Sequence, residues 1–186
     1  MSGQVTLATA LAEKAIPEDV QLAVDVSGLS PALVRTLQRT VCAKLSADQL
    51  LLYLAICQRK DVDPFSGAYA FPNPDGGLAF GLRIDGMRAL AMRTGDYLSR
   101  KVEEIADPKD PGKIIGARCT IARKGMVSEV IEEAYFSEYD RGGMGWKQFP
   151  ITMIRKVAES KALRAAFPDA LGGVYEPSEM EDAAPR

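Results

Sequence analysis

Eight consecutive residues, Leu50 to Cys57, are apolar on nearly every face of a helix. A helix of that kind has no side to show to water, so the rest of the chain must be wrapped around it. Its start is written just upstream, where Ser46 and Gln49 form a capping box. An earlier start stands at Ser30-Pro31, the Ser as N-cap and the Pro where a missing N–H is harmless, with Leu33, Leu37 and Val41 following at helical spacing. With 186 residues, 47% apolar and 26% charged, the chain is long enough to bury roughly 70% of its unfolded surface. One self-sufficient domain is expected, and global disorder is excluded.

After Asp61-Val62-Asp63-Pro64-Phe65 the period changes from helix to strand. Residues 68–71 and 78–82 flank Pro72-Asn73-Pro74-Asp75-Gly76-Gly77, the signature of a hairpin connection. Asp85 is expected to cap a helix over 86–94 that stops at Gly95, with Arg88 and Arg93 on its outer side. A three-stranded meander over about 97–106, 113–123 and 126–136 follows, broken at residues 107–112 and at Lys124-Gly125. In its middle strand Ile115, Ala117, Cys119 and Ile121 alternate with Arg118 and Thr120, so one face packs and the other is free. Residues 137–145 read as a loop, and a last helix runs from about Ile151 to Phe167 before Pro168.

The fold class is therefore α+β, a small antiparallel three-stranded meander plus an N-terminal hairpin packed against helices in the order α-β-β-α-β-β-β-α. Residues 1–29 are expected as a flexible, loosely attached arm with one short helix at best, 30–175 as a single core domain, and 176–186, with Glu176, Glu179, Glu181 and Asp182, as an acidic tail that frays.

The chain has no His, which removes His-based acid–base catalysis, Ser-His and Cys-His nucleophile pairs and every His-containing metal site. Cys42, Cys57 and Cys119 are odd in number, lack a C-x-x-C spacing and lie in apolar stretches, which points to buried thiols in a reducing compartment. No run of 18 apolar residues is present and the N-terminus lacks a basic flank, so a cytosolic protein is expected.

The net charge is only -2, so any contact with nucleic acid requires segregated charge. The charge is segregated. Between Arg83 and Lys124 and between Trp146 and Phe167 the chain holds fifteen Lys and Arg against seven Asp and Glu, and the remainder carries an excess of ten negative charges. A mixed surface also produces such clusters as ordinary solvated faces, and at 100° per residue Arg155 and Lys156 project away from Lys161 and Arg164.

Five combinations, in order, carry more information. They are Asp63-Pro64-Phe65-x-Gly-x-Tyr69-x-Phe71-Pro72; Ile84-Asp85-Gly86-Met87-Arg88 with Thr94-Gly95-Asp96-Tyr97; Trp146-x-x-x-Pro150-x-x-Met153-Ile154-Arg155-Lys156; Lys161-Ala162-Leu163-Arg164-x-Ala-Phe167-Pro168; and Leu171-Gly172-Gly173-Val174-Tyr175-Glu176. Together they resemble the RecT/Redβ (Bet) family of phage recombination proteins over about residues 30–180. The resemblance implies ATP-independent binding of single-stranded DNA, annealing of complementary strands to duplex, and assembly into homo-oligomeric rings or helical filaments. It also implies a phage exonuclease and the host single-strand binding protein as partners, a bacterial cytoplasm as setting, no membrane and no required cofactor, with Mg²⁺ assisting annealing by screening phosphates. Familiar relatives continue into a C-terminal module beyond the Gly-Gly-x-Tyr segment, so partnerships of that module are not carried over.

By the same resemblance Arg155 and Arg164 match basic positions of the family's final helix, and Arg123 and Lys124 match its hairpin turn. Lys156 and Lys161 share the final helix, and Arg118 and Arg88 complete the expected DNA-binding set. Arg164 and Lys124 are expected to lie in one cationic trough. Each has a plainer reading: Arg155 pairing with Glu159, Arg164 bridging to the acidic tail, Lys124 a solvated turn charge. Trp146 reads as a core anchor, and Tyr69, Phe71 and Phe80 as core or subunit interface rather than a base platform. Two rival functions are a metal-dependent nuclease using Asp61, Asp63, Glu132 and Glu133, and an interaction module for an acidic partner. Glu132 and Glu133 point to opposite faces of a strand, which speaks against a two-metal site.

Overall fold

The computed structural model describes residues 16–73, 77–140 and 142–179. Three helices open it: α1 (Glu18–Ser27), α2 (Pro31–Arg39) and α3 (Ala47–Arg59). The Ser30 hydroxyl accepts from the Leu33 N–H, and both halves of the Ser46–Gln49 capping box are made. α3 buries Leu50, Tyr53, Leu54 and Cys57, although Leu52 is exposed. Residues 18–27, expected within a flexible arm, instead pack on α3 through Val20 and Ala23 and end at Gly28 in the left-handed region. The three- and four-residue spacing of Val20, Ala23 and Val24 supplies the apolar face that the surrounding acids obscured. Residues 1–15 of that expectation lie outside the described residues.

Strands β1 (Ala68–Pro72) and β2 (Leu78–Leu82) form the expected antiparallel hairpin, with Ala70 opposite Phe80. Ala68, Phe80 and Leu82 face the core, where Phe80 packs 5.8 Å from the Tyr53 ring. The two-residue period sends Tyr69 and Phe71 to the far face, half-buried over Gly81. A Cβ at Gly81 would sit 2.9 Å from the Phe71 ring, so only glycine lets that ring lie flat there.

Helix α4 (Ile84–Arg93) begins before the expected position. Arg83 holds the N-cap place with no side-chain cap, and Asp85 lies inside the first turn, 2.6 Å from Arg88. Asp85 is thus an i,i+3 partner and not the cap. Gly95, at φ +74°, ends the helix as expected.

The meander is β3 (Tyr97–Asp107), β4 (Asp110–Arg123) and β5 (Val130–Tyr135), antiparallel throughout. The loop expected over residues 137–145 instead holds most of one short helix, α5 (Phe136–Tyr139), and the start of another, α6 (Met144–Gln148). Trp146 on α6 is buried and meets Phe136 edge-on at 6.3 Å, a core anchor as expected. Helix α7 (Pro150–Ala166) lies across the meander and buries Ile154, Val157, Ala158, Ala162 and Leu163 against Ala117, Cys119 and Ile121 of β4. All three thiols are buried, and burial pushes Cys42 up to about 11 and Cys57 and Cys119 up to about 12, so they stay protonated.

After α8 (Pro168–Leu171) the chain returns as β6 (Val174–Tyr175), which pairs parallel with β2 and makes the hairpin a three-stranded sheet. A 3₁₀ turn, Pro177–Glu179, closes the described chain. Residues 176–179, expected in a fraying tail, are held inside: Glu176 is 3% exposed and accepts from the Ser178 N–H. The remaining residues of that tail lie outside the described set.

Candidate nucleic-acid interface

Three elements converge on one cleft. α7 contributes Ile151, Thr152, Arg155, Lys156 and Glu159, which four-residue spacing puts on one face. α4 contributes its first turns, with Arg88. β3 contributes Arg100 and Val102, because its register sets Arg100 opposite Ile121 and Val102 opposite Cys119, on the face turned to α7. The cleft has a volume of about 480 Å³. A slot of about 420 Å³, walled by Tyr69, Phe71, Met153 and Arg83, adjoins it and shares Ile84, Asp85 and Lys156.

At the cleft floor lies Glu159, 3% exposed. Arg88 grips it with Nε at 2.6 Å and Nη2 at 2.8 Å, and Arg100 donates to the same carboxylate. The hydrogen bonds to Glu159 hold the Arg88 guanidinium above its usual range. Arg88 also meets Asp85 at 2.6 Å, so Glu159 and Asp85 together balance Arg88 and Arg100, and the positive excess of the cleft comes from Arg155 and Lys156. Arg155 donates to Glu104 at 2.7 Å with its side chain 45% exposed, so it pairs across to β3 and not with Glu159. Lys156 forms no ion pair among the described residues and stands where cleft and slot meet.

Arg88, Arg155 and Lys156 of the expected set are therefore brought together. The other five are not. Arg164 turns away from the cleft into an internal ion pair, donating to Glu179 at 2.7 and 2.6 Å and to the Val174 carbonyl at 3.3 Å beneath the Tyr175 ring. Arg123 donates to the Ala166 carbonyl at 2.6 Å and lies over Phe167, tying β4 to the end of α7. Lys161 donates to the Glu133 carbonyl and pairs with Glu132 at 3.3 Å. Arg118 points to the opposite sheet face, 2.6 Å from Glu133, its register partner. Lys124 sits in the exposed β4–β5 turn, where its N–H donates to the Asp96 carbonyl, and does not line the cleft. A single trough joining Arg164 to Lys124 is not present, because Arg164 is consumed in the internal pair. Arg100 and Arg83 line the observed cleft and slot but were outside the expected set; only strand register, which composition does not encode, could have selected Arg100.

The acids of the nuclease reading are each engaged separately. Asp61 receives Arg93 at 2.6 Å, Asp63 accepts from Phe65 and Ser66, Glu132 meets Lys161 and Glu133 meets Arg118. Among the described residues no group of three or more His, Cys, Asp or Glu is arranged to hold a metal ion, and no helix is long and apolar enough to cross a membrane.

A guanidinium-lined open cleft on an α+β domain is a surface suited to a polyanionic chain. The family model described as RecT family matches residues 27–186, so the chain belongs to the RecT family, whose members anneal single strands in phage recombination and are generally non-catalytic. A search of curated proteins finds no match for the chain.

Proposed function

We propose that the protein binds single-stranded DNA without ATP and anneals it to a complementary strand, gripping the sugar–phosphate backbone in the cleft between α4, β3 and α7. The observation that carries this reading is the convergence of Arg88, Arg100, Arg155 and Lys156, from three separate elements, on one open surface. Backbone contacts position a strand without reading its sequence. Bases directed away from the cations can then test a second strand, while the cleft offsets repulsion between the two phosphate chains. Base pairing supplies specificity, and the protein supplies alignment and charge.

On this reading the protein is not an enzyme, requires no cofactor and works in the bacterial cytoplasm, with Mg²⁺ assisting by screening. It assembles as rings or helical filaments on DNA. The deciding experiment adds a labelled complement to the protein–strand complex without nucleotide and follows duplex formation by fluorescence. Acceleration over the protein-free rate is expected and should fall steeply with salt. No acceleration, or cleavage of the labelled strand with Mg²⁺, overturns the reading.

A further inference from the structure

The slot beside the cleft differs from it in chemistry. Tyr69 and Phe71 stand side by side on the outer face of β1, their rings 6.3 Å apart and inclined by only 21°. Gly81 beneath them leaves room for the Phe71 ring to lie flat. The Arg83 guanidinium covers the Tyr69 ring at 5.5 Å and donates to its hydroxyl, so a planar cation continues the aromatic surface. Met153 closes the far side, and Lys156 stands at the junction with the guanidinium cleft. Glu176, Pro177 and Ser178 complete the lining, and Asp85 stands on the side shared with the cleft. Flat, mostly apolar walls whose cations Arg83 and Lys156 are set against Asp85 and Glu176 do not suit a phosphate, which needs unopposed donors aimed at it. They suit a flat heteroaromatic group attached to a phosphate chain.

We propose that this slot is a nucleobase subsite: one unpaired base of the bound strand enters between the Tyr69–Phe71–Arg83 surface and Met153 while its neighbouring phosphates lie along Lys156, Arg155 and Arg88. The inference rests on the reading of the adjoining cleft as a backbone site and adds where a base goes. Every base has a π-face, so the subsite is tolerant of sequence. A base held there must leave before it can pair, so the slot fixes the strand's position on the protein without fixing its pairing partner.

The test compares an oligonucleotide with an abasic deoxyribose-phosphate strand of equal length, which keeps the phosphates and removes the bases. The wild-type protein is expected to prefer the intact strand by about 5- to 140-fold, equivalent to about 1–3 kcal/mol for a stacked base. Tyr69→Leu combined with Phe71→Leu keeps apolar volume but removes the rings; the preference should collapse towards unity while the dependence on salt is unchanged. Tyr69→Phe should retain the preference. As a measurement on the unaltered chain, a strand carrying 5-iodouracil should crosslink within residues 68–83. Equal binding of both strands with steep salt dependence overturns the subsite and leaves the backbone cleft standing. A preference that persists in the double variant, or crosslinks confined elsewhere, also overturns it. Binding of neither strand removes the backbone reading and the subsite together.

Discussion

Arg164 near the end of α7 and Glu179 in the closing 3₁₀ turn hold each other at two points, 2.7 and 2.6 Å apart. Their side chains are 20% and 6% exposed, so the contact is internal. Glu179 also accepts from the Glu176 N–H and the Ser160 hydroxyl, which makes it the knot that ties the returning chain to α7.

Removing one partner of such a pair strands the other charge. Arg164→Ala is expected to lower unfolding stability by about 3–5 kcal/mol. Arg164→Lys should recover only part of it, because an ammonium cannot make the two-point contact. Denaturant unfolding measures this, and the folded fraction of either variant should bind single strands as the wild type does. A stable Arg164→Ala protein with weakened DNA binding would return Arg164 to the interface.

Arg155 presents the reverse case. Its bond to Glu104 joins two half-exposed side chains, and such pairs contribute about 0–1 kcal/mol. Arg155→Ala should therefore melt within a few degrees of the wild type. Its affinity for unrelated oligonucleotides should fall, and the slope of log affinity against log salt should become shallower by about 0.7, the increment that one neutralised phosphate contributes on a single strand. An unchanged slope takes Arg155 out of the backbone grip.

Most of the fold was legible because local signals and burial agreed. The Ser46–Gln49 box, the 68–82 hairpin and the alternation of Ala117, Cys119 and Ile121 each specify geometry over a few residues. The site was legible only in part. Which cation reaches which acid depends on contacts between distant segments: Arg88 to Glu159, Arg155 to Glu104, Arg164 to Glu179 are separated by 71, 51 and 15 residues. Spacing within α7 suggested Arg155 with Glu159, but Arg88 and Arg100 claim that carboxylate from across the cleft. The parallel strand Val174–Tyr175 was illegible for the same reason, since two residues carry no period of their own.

Glu159 sets stability against binding. Glu159→Gln takes a negative charge from the cleft floor and leaves the Arg88 and Arg100 guanidiniums facing a neutral amide. Stability should drop by about 1–3 kcal/mol, the scale for a charge-assisted hydrogen bond weakened at a buried site. Single-strand affinity measured below the melting range should rise, with stronger salt dependence, because the Arg88 and Arg100 guanidiniums that face the phosphates no longer share their charge with a buried carboxylate. A variant that is both less stable and weaker in binding would mean that Glu159 chiefly aims the guanidiniums.

Glu176 gives the fold a pH dependence whose sign can be stated. Burial pushes its carboxyl above the usual value near 4.3, outweighing the Ser178 hydrogen bonds that act the other way. The folded state then holds this proton more tightly than the unfolded state does. From about pH 4.3 up to the raised value the folded protein carries more protons, so stability falls as pH rises through that window and levels off above it. Glu176→Gln keeps an oxygen to accept from the Ser178 N–H and removes the buried charge. The variant should melt at the same temperature as the wild type near pH 4 and at a higher one at pH 8, the gap opening between. Thermal unfolding of both proteins across that range measures it; a gap that is constant with pH would show that Glu176 titrates alike in the two states.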